Sequence, residues 1–439
     1  MRTNFVKFHK WFVSGLPALS EWILDHRECN YETQKVSFSG GNFDDLISII
    51  QSGVKPIDGV DSDLLRNSVM AALFELSLSL PLEQVDLAKH IAVKIDASRG
   101  KESRFVLLSG MYLEGSLPFG KIKMPDALIS FYPEIGFKSK SLVRFISEQD
   151  KEITKIGESP QFSSRTPKQI PKGITLVKVF VTARSSREAA DKALSAFDQF
   201  LGLLNYSVNA YRISGRSYGN LDAERNRVFN RVTSLRFHSV HTLNGKFVPN
   251  SLYYVRQHGI PKKALNVNLR KNEKIIDLFN RSFDKLKGKH DLANVAWESL
   301  KLYSRALELP GYHQAFLRLW AVIEDLCGIK ASESHDKIVS RNAFLYGDPE
   351  RVKLLLHHLR VTRNDLIHAH SEISSSSEEI AIYQLNRFVC QLLTEYIMNH
   401  KNFRSKDEFI LFLDNPLDAS VLKKKLNALE KAYNYRKDM

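Results

Sequence analysis

The stretch Ile174–Leu204, ITLVKVFVTARSSREAADKALSAFDQFLGLL, decides the fold class. Its first ten residues alternate and are rich in β-branched side chains, which predicts a strand. Directly behind it, Ser185 and Glu188 have the S-x-x-E spacing of a capping box. Ala189, Ala193, Phe197, Phe200 and Leu204 then line one helical face. A strand that runs straight into a capped helix makes this part of the chain mixed α and β.

Upstream, the run GESPQFSSRTPKQIPKG, Gly157 to Gly173, carries three prolines and little apolar content, the composition of a linker. Before it, helical periodicity covers Asp61–Leu80 and Leu82–Ala97, and RFVLL and ALISFY read as short strands. Downstream, SLRFHSVHTL and KFVPNSLYYV alternate on either side of Asn244-Gly245, a dipeptide suited to a hairpin turn. The loop SGRSYGN, Ser214 to Asn220, matches neither a P-loop nor GxGxxG and is assigned no phosphate.

From Lys271 onward the periodicity is helical. Ile275, Leu278, Phe279 and Phe283 mark one helix, DLANVAWESLKLYSRALEL a second, and Phe316, Leu319, Trp320, Ile323 and Leu326 the apolar stripe of a third. Further helices are expected over about Pro349–Val361 and from near Ser376, where S-x-x-E spacing to Glu379 recurs. Long helices with short links imply a bundle. The expected class is therefore α+β: mixed α/β N-terminal and middle regions followed by a four-helix bundle. Its divisions are 1–160, 173–290, 291–400 and a basic helical extension over 401–439.

A chain of 439 residues is long for one core. Its net charge of +14 is unevenly placed. Between Asn205 and His290 there are 17 Lys and Arg against 5 Asp and Glu, whereas Asp291–His400 holds 11 against 14. Such a concentrated positive field attracts polyanions, nucleic acid above all. Arg231, Arg236, Lys246, Lys262 and Lys263 are the candidate phosphate contacts. The competing account is a solvated basic surface without a ligand. Cys29, Cys327 and Cys390 are too far apart for a disulfide framework or a metal knuckle, which fits a reducing cytoplasm. The N-terminal run has no signal core, and no window holds the ~18 consecutive apolar residues of a spanning helix.

The bundle contains TRNDLIHAH, Thr362 to His370, which brings a guanidinium, an amide and an imidazole into one short stretch. On a regular helix Arg363 and His368 lie about 140° apart around the axis and about 7.5 Å along it, so they do not converge. Either Arg363 lies in a loop just before a helix capped by Asn364 or Asp365, or a second copy of the chain completes the site. The trio suits cleavage of an RNA phosphodiester. Arg363 would hold the phosphate in its fork, His368 would carry the proton, and Asn364 would orient either. If the ribose 2′-hydroxyl attacks, no metal or other cofactor is required.

RNDLIH resembles the R-x(4-6)-H motif of HEPN domains, with Asn364 as the polar residue that follows the arginine. The helices before it, the segment FLRLWAVIEDL with Glu324, and the closing helix look like the Apea-like branch over about Asp291–His400, with weaker likeness from about Ile174. The resemblance implies a metal-independent endoribonuclease that pairs two motifs in a homodimer and leaves a 2′,3′-cyclic phosphate, often as a toxin or an antiviral, abortive-infection effector. By position it implies Arg363, Asn364 and His368 as catalytic, with Glu324 as a buttress for Arg363. A trigger or inhibitor acting on the N-terminal region is expected, since an ungated ribonuclease harms its own cell.

Other accounts compete. Arg363 paired to a helix carboxylate, Asn364 as a cap and His368 as a packed histidine would make the motif structural. The chain would then be a non-enzymatic nucleic-acid-binding or regulatory protein whose bundle only dimerises. Glu324 would equally serve by pairing with Arg318. Zinc at His357, His358, His368 and His370 lacks a recognised spacing. Membrane association of the basic middle lacks an apolar insertion face. The C-terminal VLKKKLNALEKAYNYRKDM is a basic amphipathic helix, expected to close the bundle or a dimer.

Overall fold

The alternating run forms strand β6, Ile174–Ala183, buried on both faces along nearly all its length. A computed structural model describes residues 6–30, 35–38, 43–57, 60, 62–76, 83–98, 102–113, 117–132, 140–158, 174–214, 232–254, 273–288, 291–329, 336–368 and 375–437. Strand β6 lies inside a seven-stranded sheet with β3 (Ser103–Tyr112), β4 (Lys121–Lys123), β5 (Leu128–Tyr132), β7 (Thr233–Ser234), β8 (Phe237–Thr242) and β9 (Phe247–Tyr254). The order is β4-β5-β6-β3-β8-β9, with β7 paired to β3. Strands β5 and β6 run antiparallel, Ile129 opposite Val179 and Phe131 opposite Val177.

Helices cover both faces, which is why β6 lacks a polar side. On one face Leu142, Phe145 and Ile146 of α5 (Lys140–Lys155) pack on Val106, Leu108, Ile174 and Leu176. On the other, Phe131 meets Phe200 of α6 (Ser186–Ser214) with ring centroids 4.8 Å apart, and Phe200 meets Phe279 of α7 (Glu273–Leu286). The expected capping box forms: Glu188 N donates to Ser185 Oγ at 3.0 Å, and the Glu188 carboxylate accepts from Arg184 N. The hairpin also forms, with Gly245 at φ +83° and its N–H donating to Thr242 O.

The Pro-rich run Gly157–Gly173 does not separate two domains. Strands from both sides of it share one sheet, because the apolar faces of β5 and β6 complete each other. The compact units divide elsewhere, into Met1–Phe105 with Val181–Asp191 and Val106–Phe180 with Lys192–Met439. The first unit contains α1 (Lys10–His26), the β1–β2 ribbon (Arg27–Asn30, Lys35–Phe38), α2 (Phe43–Gly53), α3 (Ser62–Leu76) and α4 (Gln84–Ser98). Phe12, Ile23, Ile50, Leu73 and Ile91 anchor its core.

The rest of the second unit is helical: α8 (Asp291–Leu307), α9 (Tyr312–Leu326), α10 (Asp336–Ala343), α11 (Pro349–His368), α12 (Ser375–Met398), α13 (Lys406–Leu413) and α14 (Ala419–Lys437). Helices α8, α9 and α12 pack mutually, and α11 lies against α9, α10 and α12, which makes the expected bundle. It does not begin at residue 291. Helix α7 packs on α8 and α12, and α6 passes so close to α8 that a Cβ on Gly202 would stand 2.0 Å from Leu300 O. Among the described residues no helix is long and apolar enough to cross a membrane.

Candidate functional site

Helix α11 carries the motif, and its course corrects one expectation. It does not stop at Val361 but runs through to His368, so Arg363 lies in the helix and neither Asn364 nor Asp365 caps one. The reason is packing. Leu356, Leu359, Thr362 and Leu366 form one continuous buried stripe, and burial of that stripe outweighs the capping preference of two polar residues on the opposite side. Thr362 Oγ1 donates to His358 O within the helix, and Arg360 pairs with Asp336, tying α11 to α10.

Arg363 falls within the arc of that stripe, between Leu359 and Leu356 and one turn from Leu359, yet it is only half-buried, so its guanidinium reaches the rim. Nη1 donates to Asn364 Oδ1 at 3.2 Å; no ion pair of Arg363 exists among the described residues. Asn364 is exposed. His368 is the last residue of α11. Helical spacing puts its position about 140° round the axis from Arg363. Within one chain the two positions diverge around the helix axis.

Glu324 has a partner other than the expected Arg363. Its carboxylate accepts from Trp320 Nε1 at 2.8 Å on its own helix α9, where i,i+4 spacing brings the two together. Of the basic candidates, Arg236 is committed: it forks onto Glu158 at 3.1 and 3.4 Å and stacks over Phe237. Lys246 is exposed at the end of the hairpin turn. Arg231, Lys262, Lys263 and His370 lie outside the described residues. No group of three or more His, Cys, Asp or Glu is placed to hold a metal among the described residues.

No family model, curated protein or solved structure matches the chain. The site therefore stands on its own residues.

Two polar clusters escape sequence inspection. Under α5, Gly245 O can only accept, so His241 Nδ1 carries the proton that faces it at 3.2 Å. Nε2 is then free to accept from Ser239 Oγ at 2.7 Å, and Gln149 Nε2 donates to the same hydroxyl. The connectivity is that of an activated serine, but Ser239 and His241 are wholly buried, and burial pushes the His241 pKa down to about 4. A base without access to substrate is structural. The second cluster joins Asp198 of α6 to Arg305 of α8 at 2.7 Å, with Glu308 nearby accepting from Ser234 N. Burial, and secondarily the Glu308 charge, raises the Asp198 pKa to about 7. The residues of each cluster are distant in sequence, or carry no motif.

Proposed function

We propose that the chain is a metal-independent endoribonuclease of HEPN type that acts as a homodimer. In this mechanism the 2′-hydroxyl attacks the adjacent phosphorus, the 5′-oxygen departs, and a 2′,3′-cyclic phosphate remains. Arg363 neutralises the phosphoryl oxygens as charge grows in the transition state, Asn364 holds the guanidinium in place, and His368 of the other motif transfers the proton. What supports the reading above all is Arg363: a half-buried guanidinium on the packed face of a bundle helix, bonded only to a neutral amide among the described residues. Its fork is open to an external anion. The divergence of His368 makes the dimer a requirement of the chemistry. The chain is read as a gated cytoplasmic toxin or abortive-infection effector, its trigger or inhibitor acting on the N-terminal region.

The test is RNA cleavage by the full chain. Arg363→Ala and His368→Ala should each lower the rate at least about a hundredfold, with melting temperature and RNA affinity kept. End sequencing should find cyclic phosphates only with the unsubstituted protein. If that protein never cleaves but binds RNA, the alternative holds: a non-enzymatic nucleic-acid-binding or regulatory protein whose bundle only dimerises. The exposed Lys246 favours that second reading.

A further inference from the structure

Helix α14 buries nothing. Every residue from Ala419 to Lys437 is exposed, so α14 extends about 28 Å and packs on no other helix or strand among the described residues. It does not close the bundle. Yet Leu422, Leu426, Leu429 and Tyr433 are 38 to 67% exposed and recur at intervals of four, three and four residues. With Ala419 they trace the a and d positions of a heptad: Ala419, Leu426 and Tyr433 at a, Leu422 and Leu429 at d. A nineteen-residue helix has little stability alone in water, and an uncovered leucine seam gives it no tertiary support.

We propose that α14 pairs in parallel with α14 of a second copy of this chain. The flanking charges select the occupant. In a parallel pair each g position faces the e position of the next heptad across the seam. Asp418 then faces Lys423, and Lys425 faces Glu430, both of opposite sign and both occurring twice by symmetry. An antiparallel pair matches e with e, which leaves only Lys423 with Glu430. Lys424 and Lys431 fall at f and point away from the seam, and Arg436, at the last d position, marks where the apolar seam ends after Tyr433. Asp418 is already fixed at the helix start, accepting from Ser420 N and Val421 N. Lys425 donates to the neutral Asn415 Oδ1, which leaves it without a competing carboxylate there. RNA is a polyanionic alternative to a second copy, but a leucine seam offers a phosphate backbone no hydrogen bond. The pairing holds whether or not the chain cuts RNA.

The experiment uses the full chain with Cys29→Ser; the other two cysteines, Cys327 and Cys390, are buried. Under mild oxidation Leu429→Cys should form a disulfide-linked dimer, because d positions of a parallel pair approach within bridging distance, whereas Lys431→Cys should not. By sedimentation, Leu426→Glu with Leu429→Glu should raise the dimer Kd at least about a hundredfold. Glu430→Lys should weaken the dimer, and Lys425→Glu with Glu430→Lys should restore it. Since these side chains are exposed in the single chain, the melting temperature at concentrations too low for pairing should not move. Equal cross-linking at 429 and 431, none at either, or failure of the charge exchange to rescue overturns the proposal. So does loss of affinity for a labelled 20-nucleotide RNA in the Leu426→Glu, Leu429→Glu protein without Leu429→Cys cross-linking, which would give the helix to RNA.

Discussion

A buried imidazole held at a pKa of about 4 is linked to the stability of the whole fold. His241 has an ordinary value near 6.5 when the chain unfolds, so between these limits the unfolded state binds the extra proton. The contribution is complete above pH 6.5 and is lost as pH falls toward 4, amounting to about 3 kcal/mol. Denaturant titrations at pH 7 and pH 4 should therefore show a larger acid loss for the native protein than for His241→Gln. Equal losses would mean that His241 is protonated in the folded state. Lys178 shows the same economy on this face: it is buried over the Phe145 ring at 4.0 Å, and burial lowers its pKa. Neither residue belongs to a motif. Their roles come from what the sheet and α5 place around them.

At the scale of elements, the continuity of α11 separates two accounts of Asn364. As an N-cap its replacement by Ala would lose about 1 kcal/mol. In the exposed interior of a helix, where α11 puts it, Ala is the better helix former, and Asn364→Ala should leave stability unchanged or raise it by about 0.5 kcal/mol. Thermal unfolding of the two proteins decides. The capping box at Ser185 and the Asn244-Gly245 hairpin were legible because one local bond pattern determines each. The end of α11 was not, because its polar residues favour a break and only the stripe from Leu356 to Leu366, packed on neighbouring helices, carries the helix through. Arg363 was legible as a candidate, but its angular divergence from His368 became definite only with the helix.

On the scale of the whole molecule, the bundle cannot be cut away at residue 291. Helices α6 and α7 pack against it: Asn209 Nδ2 donates to Tyr303 OH, which donates in turn to Asn386 Oδ1, Tyr206 OH bonds Thr394 Oγ1, and α7 lies on α8 and α12. A fragment of residues 291–439 would expose the apolar faces that Gly202 and Phe283 cover. It should aggregate or melt without a cooperative transition, measurable by circular dichroism and calorimetry. A well-folded fragment would show that α6 and α7 are dispensable. Control of the proposed nuclease is thus to be sought with single substitutions in the intact chain.

The sequence by itself determined the strand and capped helix from Ile174, the hairpin and the helical C-terminal half, because each follows from periodicity or turn chemistry within a few residues. Only the tertiary structure decided that strands on both sides of the Pro-rich run share one sheet, that Arg236 is bound to Glu158 and Glu324 to Trp320, and that α14 buries none of its residues. Those outcomes depend on which distant surfaces meet, and that is settled by the burial of whole faces together.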